Sequence, residues 1–490
     1  MKCIAIDDEP LALKLLEDNI SKVPYLELVT SCRNAFDAMK VLQENKIDLI
    51  FIDIQMPGLT GLQFIASLET KPLVIFITAY KEFALEGYDL AVADYLVKPV
   101  PLERFRPGYP SIKNVIPSKT SKKIMPIYMD VHNVPGVKPK DVAQAHSKDL
   151  LRQEEYGCRC ITYWIDEERE NIFCLIDAPD KEAVKEMHRS AHGLIPNKII
   201  EVDKSLVNSF LGRIYDPESA EISDDGLKVF SDPSFRILLV TNCTDPYLLR
   251  YRLGIEKADE LQESHNCIIR KNIQQHGGRE AEHEGCGFIV SFSSAAKAVA
   301  CALAIQQEMQ NAHADAFRFT IAINAGEPVE KSNQLFGDTI QLADNLCFIA
   351  GNFQIAIASS VKKLVSKDFF KNKKKNLLTL PPQDESLLGL LFRKLEENWQ
   401  DAEFDISDYC HETAMSTSQL YRKTISLTGL SPNLLLKEYR LEKAKERMKK
   451  QRYNISQITF DSGFTSASYF TKCFKKKYGM LPMAYLDLLH

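Results

Sequence analysis

Apolar and polar positions alternate in four distinct styles along the chain. From residue 1 to about 106, the runs KCIAI, LELVTSC, LIFI, LVIFIT and DYLV are separated by the helix-spaced segments PLALKLLEDNI and NAFDAMKVLQENK. Short, almost continuous apolar runs alternating with amphipathic segments predict five parallel strands with helices on both faces. From 125 to about 204, MPIYMDVHNVPG, ITYWIDEERENIFCLID and KIIEVD bracket two helical patterns, which predicts a compact α+β unit. Residues 234 to about 366 mix strands such as FRILLVTNCTD with long helical patterns, and 384 to 490 read as helices throughout. Stretches rich in breakers or charge, 107–123 and 367–386, read as linkers.

The 490 residues thus divide into four domains: 1–106, 125–204, 234–366 and 384–490. The expected fold class is multidomain α/β plus all-α, with a flavodoxin-like first domain and a ferredoxin-like second. Apolar residues make up 45% and charged residues 26%, as in globular proteins, and no run of about 18 uninterrupted apolar residues occurs. The N-terminus MKCIAIDDEP carries acids where a signal peptide needs an apolar segment, so a cytoplasmic location and no membrane partner are expected. Twelve cysteines without CxxC spacing favour neither a zinc ribbon nor a disulfide framework.

Net charge is -5, but it is unevenly spread. Residues 1–106 hold 11 basic and 16 acidic side chains, whereas 415–480 hold 14 basic and 4 acidic. One end repels nucleic acid and the other attracts it.

In the first domain the chemistry gathers at strand ends. Asp7 and Asp8 follow the first run, Asp53 ends the third, Thr78 the fourth, and Lys98 the fifth. Carboxyl ends of parallel strands share one crevice, so these side chains converge. Three carboxylates demand a hard cation with oxygen ligands, Mg²⁺, which with Lys98 and Thr78 can position a phosphoryl group at Asp53.

The pattern DD, D-x-x-x-P-G, T-A and K-P resembles the receiver domain of bacterial response regulators. Its wording, IDDEPLALKLLEDNI and ITAYKEFALEGYDLAVADYLVKPV, is similar to receivers joined to a LytTR output domain. The resemblance implies phosphorylation of Asp53 by a sensor histidine kinase. It also implies Mg²⁺ held by Asp8 and Asp53, with Asp7 acting through water, and a switch in which Thr78 and Tyr95 rearrange together.

Toward the other end, ISDYCHETAMSTSQLYRKTISLTG and ISQITFDSGFTSASYFTKCFKKKYG each read as helix, turn, helix, about 50 residues apart. The first helix-turn-helix turns at about Ala414-Met415-Ser416 and the second through Gly463. Residues at the start of a recognition helix face base edges, and basic residues further along meet phosphates. The candidates are Thr417, Ser418, Gln419, Arg422 and Lys423 in one unit, and Ser466, Ser468, Thr471 and Lys472 in the other. SQLYRK, LTGLSP, YRLEKAKE, GF-x-S-x-SYF-x-K-x-FKK and YG-x-x-P resemble the AraC-type DNA-binding domain. The lysines 475–477 taken alone read as a solvated run.

Two middle segments carry weaker chemistry. His132, His146, His188 and His192 fall in 125–204, and the i, i+4 spacing of His188 and His192 puts both on one helical face, as metal ligation needs. M-D-x-H-x-x-P-G, AH-x-KDL, TYW-x-DEE and H-x-x-AHGL-x-P resemble a small α/β family with nickel-binding members, and imidazole suits Ni or Zn. Residues 234–366 resemble a class III nucleotide cyclase domain. That family's metal-holding aspartates fall at Asn242 and Cys286, its purine-reading Lys at Glu282, and its transition-state Asn and Arg at Gln341 and Asn345. Without those charges the domain is expected to be no enzyme and to serve dimerisation or ligand sensing.

The reading that absorbs most of these residues is a response regulator acting on DNA, in the expected company of a sensor kinase and RNA polymerase and as a homodimer. The competing reading is a metal- or small-molecule-sensing regulator whose middle domains carry the signal.

Overall fold

The computed structural model describes residues 2–23, 26–54, 56, 60–66, 68, 72–78, 94–98, 125–281, 287–313, 318–366, 376–450 and 454–489. It divides into two compact units, Met1–Ile124 and Met125–His490.

In the first unit, strands β1 (Lys2–Ile6), β2 (Glu27–Cys32), β3 (Leu49–Asp53), β4 (Leu73–Thr78) and β5 (Asp94–Val97) form one parallel sheet in the order β2-β1-β3-β4-β5. Alternation within β1 serves both faces. Cys3 and Ala5 pack toward helix α1 (Pro10–Ser21), and Ile4 and Ile6 toward α2 (Ala35–Glu44) and α3 (Gly61–Ala66). Chain order reverses between β1 and β3, so the crevice opens where β1 delivers Asp7 and β3 delivers Asp53. Gly61 begins α3 against this rim, because any Cβ there would lie 2.2 Å from the Asp53 carbonyl oxygen.

The second unit opens with β6 (Ile127–Asn133), α4 (Pro139–Arg152), β7 (Arg159–Asp166), β8 (Asn171–Asp177), α5 (Lys181–Ala191) and β9 (Lys198–Glu201). The strands form an antiparallel sheet in the order β7-β8-β6-β9. Tyr128, Cys174 and Ile176 face the layer of α4 and α5, whereas Met129, Trp164, Phe173 and Leu175 face the other way. This module runs past residue 204: α6 (Lys204–Leu211) follows, then the hairpin β10 (Glu221–Ile222) and β11 (Lys228–Val229), and Phe230 joins its core.

A six-stranded sheet comes next, in the order β13-β14-β12-β15-β16-β17. Its strands are β12 (Arg236–Cys243), β13 (Arg279–Ala281), β14 (Ile289–Phe292), β15 (Phe319–Gly326), β16 (Ile355–Ile357) and β17 (Leu377–Thr379). Ile237 and Leu239 pack with α8 (Ile255–His276) and α9 (Ala295–His313) on one face. On the other, Leu238 packs against the buried Met129, Trp164, Phe173 and Leu175 of the preceding sheet together with Val329, Leu335 and Phe336. Arg236, 4% exposed, seals the junction by donating to the carbonyls of Phe210 and Leu211. The linker expected over 367–386 is corrected here, because Leu377–Thr379 pairs as the sixth strand; residues 367–375 lie outside the described residues.

The remaining elements of that module are α7 (Pro246–Leu253), α10 (Gly337–Ile349) and α11 (Ser359–Leu364). Beyond β17 the chain is helical: α12 (Pro382–Asn398), α13 (Ile406–Thr413), α14 (Thr417–Thr428), α15 (Pro432–Lys450), α16 (Ile455–Asp461), α17 (Ala467–Tyr478) and α18 (Pro482–Asp487). Leu388, Leu391, Phe392 and Leu395 of α12 share one core with Ala343, Leu346 and Cys347 of α10 and with Leu420 and Leu435. The first helical pair is therefore joined to the preceding sheet module through apolar side chains.

Candidate functional site

The rim of the first unit's sheet holds the carboxylates of Asp7, Asp8 and Asp53, each contributing an oxygen within 4.8 Å of the others. Asp7 and Asp53 are buried, at 1% and 7% exposure. Lys98 Nζ lies 2.8 Å from Asp7 Oδ2 and 2.8 Å from Asp53 Oδ2, with Glu9 Oε2 at 3.5 Å. Burial raises the Asp7 carboxyl above the usual carboxylate range, and the Lys98 hydrogen bond only partly offsets it. Burial pulls the Lys98 ammonium down, but hydrogen bonds to Asp53 and Asp7 outweigh it and hold the proton more firmly than in an ordinary lysine. Three carboxylates against one ammonium leave net negative charge, and the donors are all oxygens, so the set fits Mg²⁺. Thr78 ends β4, paired with Val97, and Tyr95 sits on β5 opposite Phe76. Their side chains lie outside the described residues.

In the helical region, each recognition helix begins where it was expected. Ala414 adopts φ 53°, the left-handed conformation that closes α13, and Gly463 adopts φ 72°. Ser416 caps α14, accepting from Gln419 N, while Gln419 Oε1 accepts from Ser416 N at 3.1 Å. Ser466 caps α17 by accepting from Tyr469 N at 3.3 Å. Gln419 and Ser466, expected as base readers, thus hold their helix starts. Thr417, Ser418, Arg422, Lys423, Ser468 and Lys472 are exposed, and Thr471 is half-buried. Lys475 and Lys476 are exposed, but Lys477 is held by Glu438 at 2.8 Å and Glu442 at 3.1 Å. Tyr469, 53% exposed at the start of α17, belongs to the same surface and was missed; the SYF run that contains it was the available signal.

The α+β module gathers three of its four histidines. His188 Nε2 lies 3.0 Å from Asp130 Oδ2, and His188 Nδ1 lies 3.1 Å from both Asp149 Oδ1 and His192 Nε2. His132 Nε2 is 3.2 Å from Asp130 Oδ1, and its buried Nδ1 has no hydrogen-bond partner. Cys174 completes a ligand group with Asp130, His132 and His188. α5 ends at Ala191, so His192 is a cap rather than a helical residue, yet its ring still meets that of His188. His146 lines a cavity with His132, Asp149, Cys174 and His192, its ring 5.3 Å from Tyr163, but belongs neither to the Cys174 ligand group nor to the second one formed by Asp149, His188 and His192.

Asp130, Asp149 and Cys174 were not anticipated. The alternation M-D-V-H, which places Asp130 and His132 on one strand face, was the signal. Burial lowers the His188 imidazole pKa, but the Asp130 and Asp149 carboxylates outweigh it and raise the group to about 10. Burial opposes ionisation of Asp130, yet His188 and His132 bring its pKa below the ordinary value. An orphaned imidazole nitrogen grouped with a carboxylate, a second imidazole and a thiol fits a transition metal.

In the six-stranded module, Asn242 is exposed on β12, Gln341 is exposed and Asn345 buried on α10; Glu282 and Cys286 lie outside the described residues. Among the described residues no cluster of metal-ligating side chains falls in this module.

Residues 3–107 match the response regulator receiver domain, and 409–487 match the helix-turn-helix domain. The chain joins a receiver domain to an AraC-type helix-turn-helix domain. Residues 128–202 match the family described as nickel responsive protein SCO4226-like. An uncharacterised response regulatory protein of Shewanella oneidensis is 38% identical over 104 residues, 21% of this chain and 44% of its own length. The chain thus spans less than half of that curated relative. The response regulatory domain of Klebsiella pneumoniae protein mrkE, a solved structure, is 37% identical over 24% of this chain and 92% of its own, with TM-score 0.21. An adenylate/guanylate cyclase/hydrolase from Silicibacter pomeroyi is 25% identical over 26% of this chain and 78% of its own, with TM-score 0.24.

The LytTR-type character expected of the receiver is corrected. The match over residues 3–107 is to the receiver domain as such, and the output domain matched in this chain is the helix-turn-helix domain over 409–487. No described helix is long and apolar enough to cross a membrane.

Proposed function

We propose that the protein is a two-component response regulator whose DNA binding is controlled by phosphorylation of Asp53. The observation that carries the reading is the contact of Lys98 with both Asp53 and Asp7 at 2.8 Å in a pocket of three carboxylates. A carboxylate oxygen of Asp53 attacks the phosphorus of a phosphohistidine on a sensor kinase. The phosphorus–nitrogen bond breaks, the imidazole leaves with a proton from solvent, and an acyl phosphate forms. Asp8 and Asp53, with Asp7 through water, would hold Mg²⁺, which neutralises the incoming phosphoryl oxygens. Lys98 is already placed to pair with a phosphoryl oxygen, and Thr78 and Tyr95 follow as the switch.

Arg422, Lys423 and Lys472 would neutralise phosphates, while Thr417, Ser418, Ser468 and Thr471 approach base edges. Regulation would run through RNA polymerase, and a homodimer would gain avidity on paired sites. The test compares the native chain and Asp53→Ala on their own upstream DNA, with and without acetyl phosphate and Mg²⁺. Tightening that needs Asp53 supports the reading; identical binding in every arm removes receiver control.

A second reading is favoured by the cluster of His132, His188 and His192 with Asp130, Asp149 and Cys174: that this ferredoxin-like module binds Ni or Zn and adds a metal signal. His146 would line its entrance rather than ligate. Elemental analysis of the purified chain tests it, with His188→Ala plus His192→Ala as control; absence of stoichiometric metal in the native chain sinks it. The cyclase-like module, neutral at Asn242, Gln341 and Asn345, would make no cyclic nucleotide from ATP or GTP with Mn²⁺.

A further inference from the structure

Each helix-turn-helix unit is tied to the six-stranded module by apolar packing together with one buried carboxylate. The first is joined by apolar packing of α12 on α10, including the rings of Phe348 and Phe392 at 5.2 Å, and by buried Glu385 of α12, whose carboxylate accepts from Ser359 N and Ser359 Oγ of α11 at 2.5 Å each. The second is gripped through a buried carboxylate. Asp245, 3% exposed, lies in the turn after β12 and caps α7 by accepting from Tyr247 N at 3.0 Å. Its Oδ2 accepts from Tyr485 Oη of α18 at 3.0 Å and pairs with Lys449 Nζ of α15 at 2.6 Å; Lys445 Nζ stands 3.9 Å away. Leu248, three residues on, enters the core formed by Leu441, Met448, Phe470 and Phe474.

These contacts reach the DNA-facing surface in one step. The Tyr485 ring packs on Phe474 of recognition helix α17, with centroids 6.0 Å apart. Hydrogen bonds and ion pairs to one carboxylate fix both distance and angle. A grip of that kind at the far end of the second unit is suited to setting the pose of α17 relative to α14. The corner formed by Trp399, whose carbonyl accepts from Arg440 Nε at 2.9 Å, already braces the near end.

We infer that Asp245 is a positioning residue for DNA reading: by holding Tyr485 and Lys449 it fixes the second recognition helix at the spacing needed to engage DNA together with the first. This inference rests on the DNA-binding reading above and assigns the six-stranded module a part in it, as a frame that holds both units from behind. The exposed residues of α14 and α17 remain outward in this arrangement.

The test uses the full chain and a duplex selected by the native protein from a random-sequence pool. Affinity is measured for that duplex and for versions with either half-site scrambled. Two variants approach the contact from opposite sides: Asp245→Asn, and Tyr485→Phe combined with Lys449→Met, which leaves the α7 cap intact. Both are expected to lose about tenfold on the two-half duplex, part of the roughly 10²–10⁴-fold that linking two sites can supply. Binding to the half read by α14 should be unchanged, and amide exchange should quicken in α18 while α13 and α14 stay as they were. Tyr485→Phe alone serves if the double variant does not fold. Equal affinity for the two-half duplex overturns the inference, as does an equal loss on every duplex, which would mark a purely structural role. A native chain that selects no DNA overturns the DNA-binding reading and this inference with it. If the native chain selects DNA but the variants keep the native half-site pattern, the inference alone fails.

Discussion

Lys98 Nζ sits 2.8 Å from Asp53 Oδ2, at the end of neighbouring strands but one, and the same ammonium is shared with Asp7. The pocket is thereby neutralised only in part, and under the proposed function a divalent cation would offset the remaining charge while Lys98 turns to the arriving phosphoryl group.

Removing divalent metal should therefore stop phosphorylation of Asp53. Intact-mass measurement after incubation with acetyl phosphate should show one added phosphoryl group in Mg²⁺ and none in excess chelator or in Asp53→Ala. Incorporation that survives chelation would show that the three carboxylates need no cation.

The metal-free histidine cluster makes stability pH-dependent. His188 has its folded pKa raised to about 10, well above the usual imidazole value of about 6.5. The stabilisation from its charged contacts is complete below about 6.5 and is lost as pH rises through about 10. Denaturant unfolding of metal-free protein across neutral and alkaline pH should show that decline. Metal requires the neutral imidazole, so uptake should release protons and strengthen as pH rises. His188→Ala removes the imidazole that bridges Asp130 and Asp149 but leaves His132 and His192 beside them, so it should destabilise metal-free protein by less than the roughly 3–5 kcal/mol of a buried charge left wholly unpaired.

Arg422→Ala and Lys472→Ala should weaken binding to all duplexes, selected or random, and each should reduce the slope of log affinity against log salt by about 1. Salt titration of both variants checks this; an unchanged slope would place these side chains off the phosphates. Lys477→Ala should leave the slope alone, since its ammonium is already paired with Glu438 and Glu442.

Gly463→Ala should destabilise the second helix-turn-helix unit by more than the roughly 1–2 kcal/mol of left-handed backbone strain, because the new Cβ would lie 2.4 Å from the Trp399 carbonyl oxygen. Amide exchange across α16–α18 reads it. Ala414, at φ 53° with a Cβ already in place, should gain stability on replacement by glycine.

How far the sequence reached differs along the chain for identifiable reasons. Strand alternation and helix caps are local, so the five parallel strands, the turns at Ala414 and Gly463, and the starts of α14 and α17 were all legible. The convergence of Asp7, Asp53 and Lys98 was legible too, because parallel strands carry their carboxyl ends to one edge. His188 and His192 could be paired by spacing, but Asp130, Asp149 and Cys174 come from another helix and two strands and share no local signal with them. The base-reading role expected of Gln419 and Ser466 met a competing use, since small polar side chains at a helix start also satisfy its open amides.

By itself, then, the sequence determined which elements form and which strand ends or helix starts carry chemistry, because those depend on periodicity of 2 or 3.6 residues and on neighbours within a turn. Only the tertiary structure decided that Leu377–Thr379 completes the six-stranded sheet, that His146 stands apart from the other histidines, and that Asp245 meets Tyr485 across 240 residues. Contacts of that kind depend on which faces meet when modules pack, and the residues making them leave no periodic trace in the chain.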